Sequence, residues 1–340
     1  MGVNIKDLLV RKEIKVDDLK NKVLVVDTFN VLYQFLTTIR QRDGSLLTDS
    51  NNNVTSHLIG LFSRTSSLMQ SGLKLAFVFD GEPPELKRTE RERRKKQKQE
   101  AKIKYDDALE KKDLELMKKY AARTTRLTGD MINEAKELIH ALGLPVIQAP
   151  SEGEAQAAHI VRNKDAFASI SQDYDSLLFG TPKLIHNLTL SGRKKMPNRL
   201  HYKTICPEMI DLKENLTNLG LSQDQLIALG ILVGTDFNPK GIKGIGPKNA
   251  LKLVKKYPKN FETLFDEVKW SDSFDFSWKE VFDLVKNIKV SNKYDLEFVP
   301  FDKDKIFKLL VEKHDFSEER VLNTLEKLSE NKQKDLNQWF

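Results

Sequence analysis

Val23-Leu-Val-Val-Asp27 and Ala76-Phe-Val-Phe-Asp80 decide the fold. Each is an unbroken apolar run closed by an aspartate. Such runs are too uniform for strands with one wet face and read as strands covered on both sides in a parallel sheet. The same character marks strands at Lys22 to Val26, Leu73 to Phe79, Leu144-Pro-Val-Ile147 and Phe167 to Ser171. Helical patterns at Val54 to Ser71, Thr128 to Leu142 and Ser151 to Asn163 lie between them. The alternation predicts an α/β fold, a central, twisted, mostly parallel sheet flanked by helices. Ligands of such sheets bind beyond the carboxyl ends of the strands, so Asp27 and Asp80 are expected to converge there.

Composition narrows the class. With 39% hydrophobic and 31% charged residues among 340, the chain is globular and long enough for a sizeable core. Its net charge of +7 makes nucleic acid a natural partner only if the charge is concentrated. Cys206 is the single cysteine, which excludes an internal disulfide framework and a Cys-rich zinc module. His57, His140, His159, His186, His201 and His314 show no paired metal-ligand spacing. No apolar stretch approaches a membrane span, the start MGVNIKDLL lacks a signal-peptide apolar region, and Lys6 breaks the myristoylation pattern. A cytoplasmic protein is expected.

Further acids join the first two. Asp173 and Asp175 close Ala168-Ser-Ile-Ser-Gln-Asp173-Tyr-Asp175, and would share a face if the strand continues through them. Asp236 follows an apolar helix spanning Leu221 to Val233. Pro150-Ser-Glu152-Gly-Glu154 puts two acids at a helix start, where Ser151 and Glu154 also fit a capping box. Seven carboxylates without His or Cys companions raise one another's pKa at close range. Hard divalent cations such as Mg²⁺ or Mn²⁺ relieve that repulsion, and a pair of them is an apparatus for phosphodiester cleavage.

The excess of positive charge is local. Ten basic residues lie between Lys87 and Lys104, against Glu90, Glu92 and Glu100. The run reads either as a solvated helix or as a track for a phosphate backbone, and its place directly after the Asp80 strand favours the track. Further on, Gly241-Ile-Lys-Gly-Ile-Gly-Pro-Lys248 precedes a helix expected from about Asn249 to Lys256. Ser317 to Ser329 reads as a helix, and Asn331 to Phe340 as a polar tail ending in two aromatics.

Taken in order, Val-Val-Asp27, Val-Phe-Asp80-Gly-Glu-Pro-Pro, Ala-Pro-Ser-Glu152-Gly-Glu154-Ala, Ser-Gln-Asp173-Tyr-Asp175, Gly-Thr-Asp236 and the glycine segment resemble the flap endonucleases of the XPG-type 5′-nuclease superfamily, closest to the archaeal kind. The resemblance implies a PIN-like nuclease fold with a helical arch insertion and a helix-hairpin-helix element. It divides the chain into 1–83, an arch at 84–128, 129–234, a helix-hairpin-helix at 235–258, a helical region at 259–330 and a tail at 331–340. Two Mg²⁺ ions are implied, Mn²⁺ substituting. Asp27 and Asp80 would hold the first, with Glu152 acting through water. Glu154 would lie between them, overruling the capping box, while Asp173 and Asp175 would hold the second and Asp236 would stand outside. Lys87 and Arg94, about two helical turns apart, would reach over the site and neutralise the phosphate.

The resemblance also implies a DNA-binding set. Tyr33 would stack on an unpaired terminal nucleotide, although its apolar neighbours Val31, Phe35 and Leu36 allow a core role. Arg64 would contact DNA. Lys243, Gly244, Gly246, Lys248 and Lys252 would grip duplex backbone without sequence preference, with a possible K⁺ at the turn, where an ordinary helix cap is the plain alternative. A pocket for one unpaired 3′ nucleotide would lie near Asn51-Asn-Asn53. Eukaryotic relatives are acidic there, although Thr55 and Ser56-His57-Leu58 match. The loop after Asp236 is one residue longer than in eukaryotic relatives, and their basic tail is absent. Gln333, Leu336, Trp339 and Phe340 fit the peptide that docks on the sliding clamp (PCNA).

The function implied is a structure-specific 5′-flap endonuclease with lesser 5′-3′ exonuclease activity, acting as a monomer on branched DNA in Okazaki fragment maturation and base excision repair. A related exonuclease or bubble cutter is the alternative. A non-catalytic DNA or clamp binder would have no use for all seven acids.

Overall fold

The computed structural model describes residues 2–189, 193–195 and 202–337. Its elements run β1 (Lys12–Glu13), β2 (Val23–Asp27), α1 (Thr28–Thr38), α2 (Ser56–Gln70), β3 (Lys74–Phe79), α3 (Arg88–Glu110), α4 (Leu114–Ala121), α5 (Gly129–Ala141), β4 (Val146–Gln148), α6 (Gly153–Arg162), β5 (Ala168–Ile170), α7 (Asp175–Leu178) and β6 (Lys183–His186). They continue with β7 (Arg193–Lys195), β8 (Tyr202–Thr204), β9 (Glu208–Asp211), α8 (Leu212–Leu219), α9 (Gln223–Val233), α10 (Pro247–Lys256), α11 (Phe261–Glu267), α12 (Trp278–Lys286), α13 (Lys303–Phe307) and α14 (Glu318–Asn337).

The main sheet has the order β1-β9-β6-β5-β2-β3-β4. The strands from β6 through β4 are parallel neighbours, and β9 pairs antiparallel with β6 and β1. Alternation along the central strands sorts side chains to two sides. Leu24, Val26, Leu75, Phe77 and Phe79 pack with α1, α2 and α5 residues, while Val25, Ala76 and Val78 pack with Ala157, Ile160 and Val161 of α6. Phe77 and Phe79 are essentially fully buried, each contributing on the order of 1.5–3 kcal/mol relative to exposure. The unbroken apolar runs follow from this two-sided cover.

Register brings the acids to one edge. Val26 pairs with Phe77 and Ile170, so Asp27, Asp80 and the chain after β5 leave the sheet side by side. Over this edge stands a hairpin of α3 and α4, which pack together through Ala101, Ala108, Met117 and Ala121. Asp113 caps α4 by accepting from the N–H groups of Glu115 and Leu116. Two expectations need correcting. The strand does not continue to Asp173 and Asp175: β5 stops at Ile170 and Asp175 opens α7, where it accepts from Val3 N–H. The last helix also does not stop at Ser329 but runs on to Asn337, taking in part of the expected tail.

Candidate active site

Each acid is delivered by the end of an element. Asp27 ends β2 and caps α1, accepting from Asn30 N–H at 3.3 Å. Asp80 follows β3 and accepts from Gly153 N–H at 2.7 Å, at the start of α6. Glu152 is the N-cap residue of α6 but makes no side-chain cap bond there. Glu154 does not close a capping box either. It accepts from Ser171 Oγ at 2.7 Å and Ser176 Oγ at 3.3 Å, pointing across to β5 and α7. Asp173 accepts from Asn30 Nδ2 at 3.0 Å.

The first residues of the chain complete the cluster. Gly2 N–H donates to Asp173 at 3.2 Å and Val3 N–H to Asp175 at 2.7 Å. A Cβ on Gly2 would lie 2.8 Å from Asp175 Oδ2 and 2.9 Å from Asp173 Cβ, so a side chain cannot be accommodated without displacement. Sequence reasoning missed Gly2, Val3, Asn30, Ser171 and Ser176. Asn30 and Ser171 carried a weak local signal, one helical turn after Asp27 and inside the Ser-Gln-Asp segment. Gly2 and Val3 carried none, because their partners are some 170 positions away.

Burial is the first cause of the titration behaviour. It pushes the Asp27 carboxyl well above its ordinary value, with Asp80 and Asp173 adding repulsion. Glu154 is raised in the same way, by burial and then by Asp27, Asp175 and Asp173. Burial and Glu152 lift Asp80 to about 6, and burial with Asp236 and Asp173 lifts Asp175 to about 7, against the opposing bond from Val3. Through these mutual repulsions all seven acids form one electrostatic unit. An all-oxygen set that resists ionisation fits a hard divalent cation, whose charge would reverse the pKa shifts.

Two bases already enter the cluster. Lys87 Nζ stands 2.5 Å from Glu152 Oε2 and 3.5 Å from Asp236 Oδ2. Burial works against its charge, yet Glu152, Asp236 and Asp80 outweigh burial and raise its pKa. Arg94 donates to Asp236 at 2.6 Å and to Glu90 at 2.7 Å. Glu90 is buried and also takes two bonds from Arg93, so it aims the base of α3 at the site, another role the sequence did not signal. With these cations among the acids, no three His, Cys, Asp or Glu side chains among the described residues stand in a ready metal cage. The two bases thus pair with carboxylates of the same cluster.

The other expected residues lie around this centre. Tyr33 is 36% exposed with Lys98 Nζ 5.1 Å above its ring, so it is a surface aromatic and not a core residue. Arg64 is half-buried on α2, and burial lowers its pKa. Gly234 to Gly246 joins α9 to α10. The turn needs glycine at 234, where φ is +108° and a Cβ would meet Gly241 N at 2.4 Å. Lys243, Gly244, Gly246, Lys248 and Lys252 are all exposed at this turn and on α10, whose N-cap Gly246 makes no side-chain bond. The first backbone N–H groups of α10 thus remain available to an anion.

A cavity of about 750 Å³ opens between α2 and the start of α14, lined in part by Thr55, Ser66, Gln70, Phe316, Arg320 and Lys327. The expected 3′-nucleotide loop, Asn51 to Asn53, lies beside it. Of the clamp residues, Gln333 and Leu336 fall on the backbone of α14, whereas Trp339 and Phe340 lie outside the described residues.

Residues 3–101 match the XPG N-terminal domain and residues 143–236 the XPG I-region, together more than half of the chain. Flap endonuclease 1 of Thermococcus onnurineus is 49% identical over 344 residues, covering 100% of this chain and 99% of the relative. Its namesake in Staphylothermus marinus is 48% identical over 351 residues, covering 100% of both. The chain belongs to the XPG-type flap endonuclease family. Its fold agrees with this membership. The solved flap endonuclease-1 from Methanococcus jannaschii superposes with a TM-score of 0.76 at 38% identity, covering 97% of this chain and 98% of that one. The catalytic core of Rad2, solved in complex with a DNA substrate, superposes with a TM-score of 0.69 at 25% identity, covering 96% of this chain and 100% of that one. As a member of the family, the chain is a metal-dependent hydrolytic nuclease. No helix among its described residues is long and apolar enough to cross a membrane.

Proposed function

We propose that this chain cuts 5′ flaps from branched DNA near the junction of single strand and duplex, leaving a 5′-phosphate and a 3′-hydroxyl. A lesser 5′-3′ exonuclease activity accompanies it, and the setting is Okazaki fragment maturation and base excision repair in the cytoplasm. The gathering of Asp27, Asp80, Glu152, Glu154, Asp173, Asp175 and Asp236 at one edge of the sheet, beneath a basic arch, carries this reading.

In this reading Asp27 and Asp80 would hold one Mg²⁺, with Glu152 acting through water. Glu154 would serve both ions, Asp173 and Asp175 would hold the second, and Asp236 would stand outside. When bound, paired Mg²⁺ or Mn²⁺ ions supply an activated water and stabilise the leaving oxygen. Lys87 and Arg94 leave Glu152 and Asp236 as the scissile phosphate arrives and neutralise its developing charge. Gly2 and Val3 N–H groups keep Asp173 and Asp175 oriented throughout.

The rest of the molecule holds the substrate. Tyr33 offers a ring for an unpaired base, and the basic face of α3 guides the single strand. Arg64 and the α9–α10 turn grip the phosphates of the duplex, Lys243, Lys248 and Lys252 supplying charge and K⁺ binding at the turn carbonyls. The cavity beside Asn51 to Asn53 takes one unpaired 3′ nucleotide, its hydroxyls, Phe316, Arg320 and Lys327 matching sugar, base and phosphate. Gln333, Leu336, Trp339 and Phe340 dock the enzyme, a monomer, on the sliding clamp (PCNA). The deciding experiment is Mg²⁺-dependent incision of a double-flap substrate mapped to the nucleotide, with Asp173→Ala as control. Incision in the absence of a divalent ion, or undiminished in that variant, would refute the reading.

A further inference from the structure

His314 is fully buried, yet its ring stands between two acids from distant parts of the chain. Nδ1 lies 2.9 Å from Asp49 Oδ2, and Nε2 lies 3.0 Å from Glu134 Oε1 on α5. Both acids are held low. Burial opposes the charge of Asp49, but bonds from Asn53 and His314 bring it to about 2. Burial likewise opposes Glu134, but His57, Lys313 and His314 bring it to about 2. Both ring nitrogens are within hydrogen-bond distance of a carboxylate, one from the loop and one from the body of the protein. The other charged or titratable groups facing the ring are Lys313, 2.9 Å from Glu134, and His57 on α2, 3.4 Å from Glu134. Asp315 accepts from Ser50 N–H at 2.8 Å and ties the same loop a second time.

Asp49 anchors the loop from within. Its Oδ1 accepts from the N–H groups of Asn51 and Asn53, and its Oδ2 from the Asn53 side chain. The loop is thus folded around one carboxylate, and that carboxylate is fixed to the body of the protein through His314. The same residues stand at the edge of the 750 Å³ cavity.

We propose that His314 is a positioning residue for substrate choice. By bridging Asp49 and Glu134 it holds the 49–53 loop as a fixed wall of the cavity, and so sets the advantage of flaps that carry an unpaired 3′ nucleotide. This rests on the reading of that cavity given under the proposed function. No nucleotide need touch His314 itself. Loss of the bridge frees the loop, and the binding energy of the 3′ nucleotide is then spent on ordering it.

The test compares kcat/KM on a double-flap substrate with that on the same flap lacking the 3′ nucleotide. His314→Gln keeps at most one of the two bonds at a time and carries no charge. Asp49→Asn retains an oxygen for the loop N–H groups but removes the charge that faces the ring. In both variants the double-flap advantage should fall about tenfold, the size expected for losing a buried charged hydrogen bond, and the fall should appear in KM more than in kcat. His314→Lys, which supplies a donor that can reach both acids, should recover part of it. A ratio that stays at the wild-type value in either variant, whatever happens to the separate rates, overturns the proposal. Should His314→Gln fail to fold, as judged by its melting curve, Asp49→Asn decides alone. A wild-type chain that cuts flaps but gains nothing from the 3′ nucleotide also overturns it, and leaves the nuclease reading standing. A chain that cuts neither substrate refutes the nuclease reading instead.

Discussion

At the carboxyl edge of the sheet, Asp27 and Asp175 are buried and Glu154 is half-buried, all fixed by backbone N–H groups and serine hydroxyls beside strands whose side chains are covered on both faces. In the α3–α4 hairpin, the 23 residues of α3 bury only Glu90, Ala101 and Ala108, and Ile103 is 70% exposed. One region holds like charges together through an apolar frame it cannot relax. The other has little apolar contact of its own and is tied down at its base by Lys87–Glu152 and Arg94–Asp236. Chemistry needs fixed acids, whereas a strand of DNA needs room to pass. In the reading proposed above, the contrast would place the rigid half of the work on the sheet and the adjustable half on ion pairs that a phosphate could compete for.

Experiments can break this division, beginning with its strongest claim. Asp80→Ala should lower single-turnover incision by about a thousandfold or more while flap affinity, measured in Ca²⁺, changes little. Near-normal turnover would remove Asp80 from the metal set. Arg94→Ala should slow cleavage by about a hundredfold, with a much smaller loss of affinity. If affinity falls by the same factor as the rate, the arch merely attracts DNA and the two regions do not share the chemistry.

A pH experiment addresses the frame itself. Asp80 and Asp175 carry carboxyl pKa values of about 6 and about 7 in the folded chain, above the ordinary carboxylate value of about 4. Between those limits the folded state holds protons that the unfolded state has released. The contribution of these groups is present below about pH 4 and is lost as pH rises through 6 to 7. In EDTA the melting temperature should therefore decline across that range more steeply in the wild type than in Asp80→Asn, and saturating Mg²⁺ should remove the difference. Parallel curves in EDTA would mean that the acids are not strained by one another.

Smaller effects belong to the periphery. Lys248→Ala should weaken duplex binding equally for all sequences and reduce the slope of log affinity against log salt by about one. An unchanged slope would take this residue off the DNA backbone. Removing residues 331–340 should leave intrinsic incision as it is and abolish stimulation by the clamp. Equal stimulation of the shortened chain would put that contact elsewhere.

The central strands, the helices between them and the seven acids were legible because each is marked locally, by an apolar run of strand length or by an acid at its end. The observed strands, Val23–Asp27 and Lys74–Phe79, differ from the expected ones by about a residue. What was not legible depends on contacts between remote positions. The capping-box pattern at Ser151 and Glu154 is locally sound, yet Ser171 and Ser176 win Glu154 because α6 starts at Gly153, one residue too late for Ser151 to cap it. Likewise Asp173 and Asp175 are held by the N–H groups of Gly2 and Val3, some 170 positions away in the sequence. His314 had no motif at all, and its two acids come from a loop and from α5.

Gly2 and Val3 have one more consequence. Their hydrogen bonds reach across 171 and 172 positions to Asp173 and Asp175. A ribosome makes the N-terminal residues first, at about 5–20 residues per second, so they wait on the order of ten seconds or more for their acceptors. During that interval β2 and β3 are already synthesised but the acidic pocket is unfinished. A nascent chain is thus without a working blade until more than half of it has been translated.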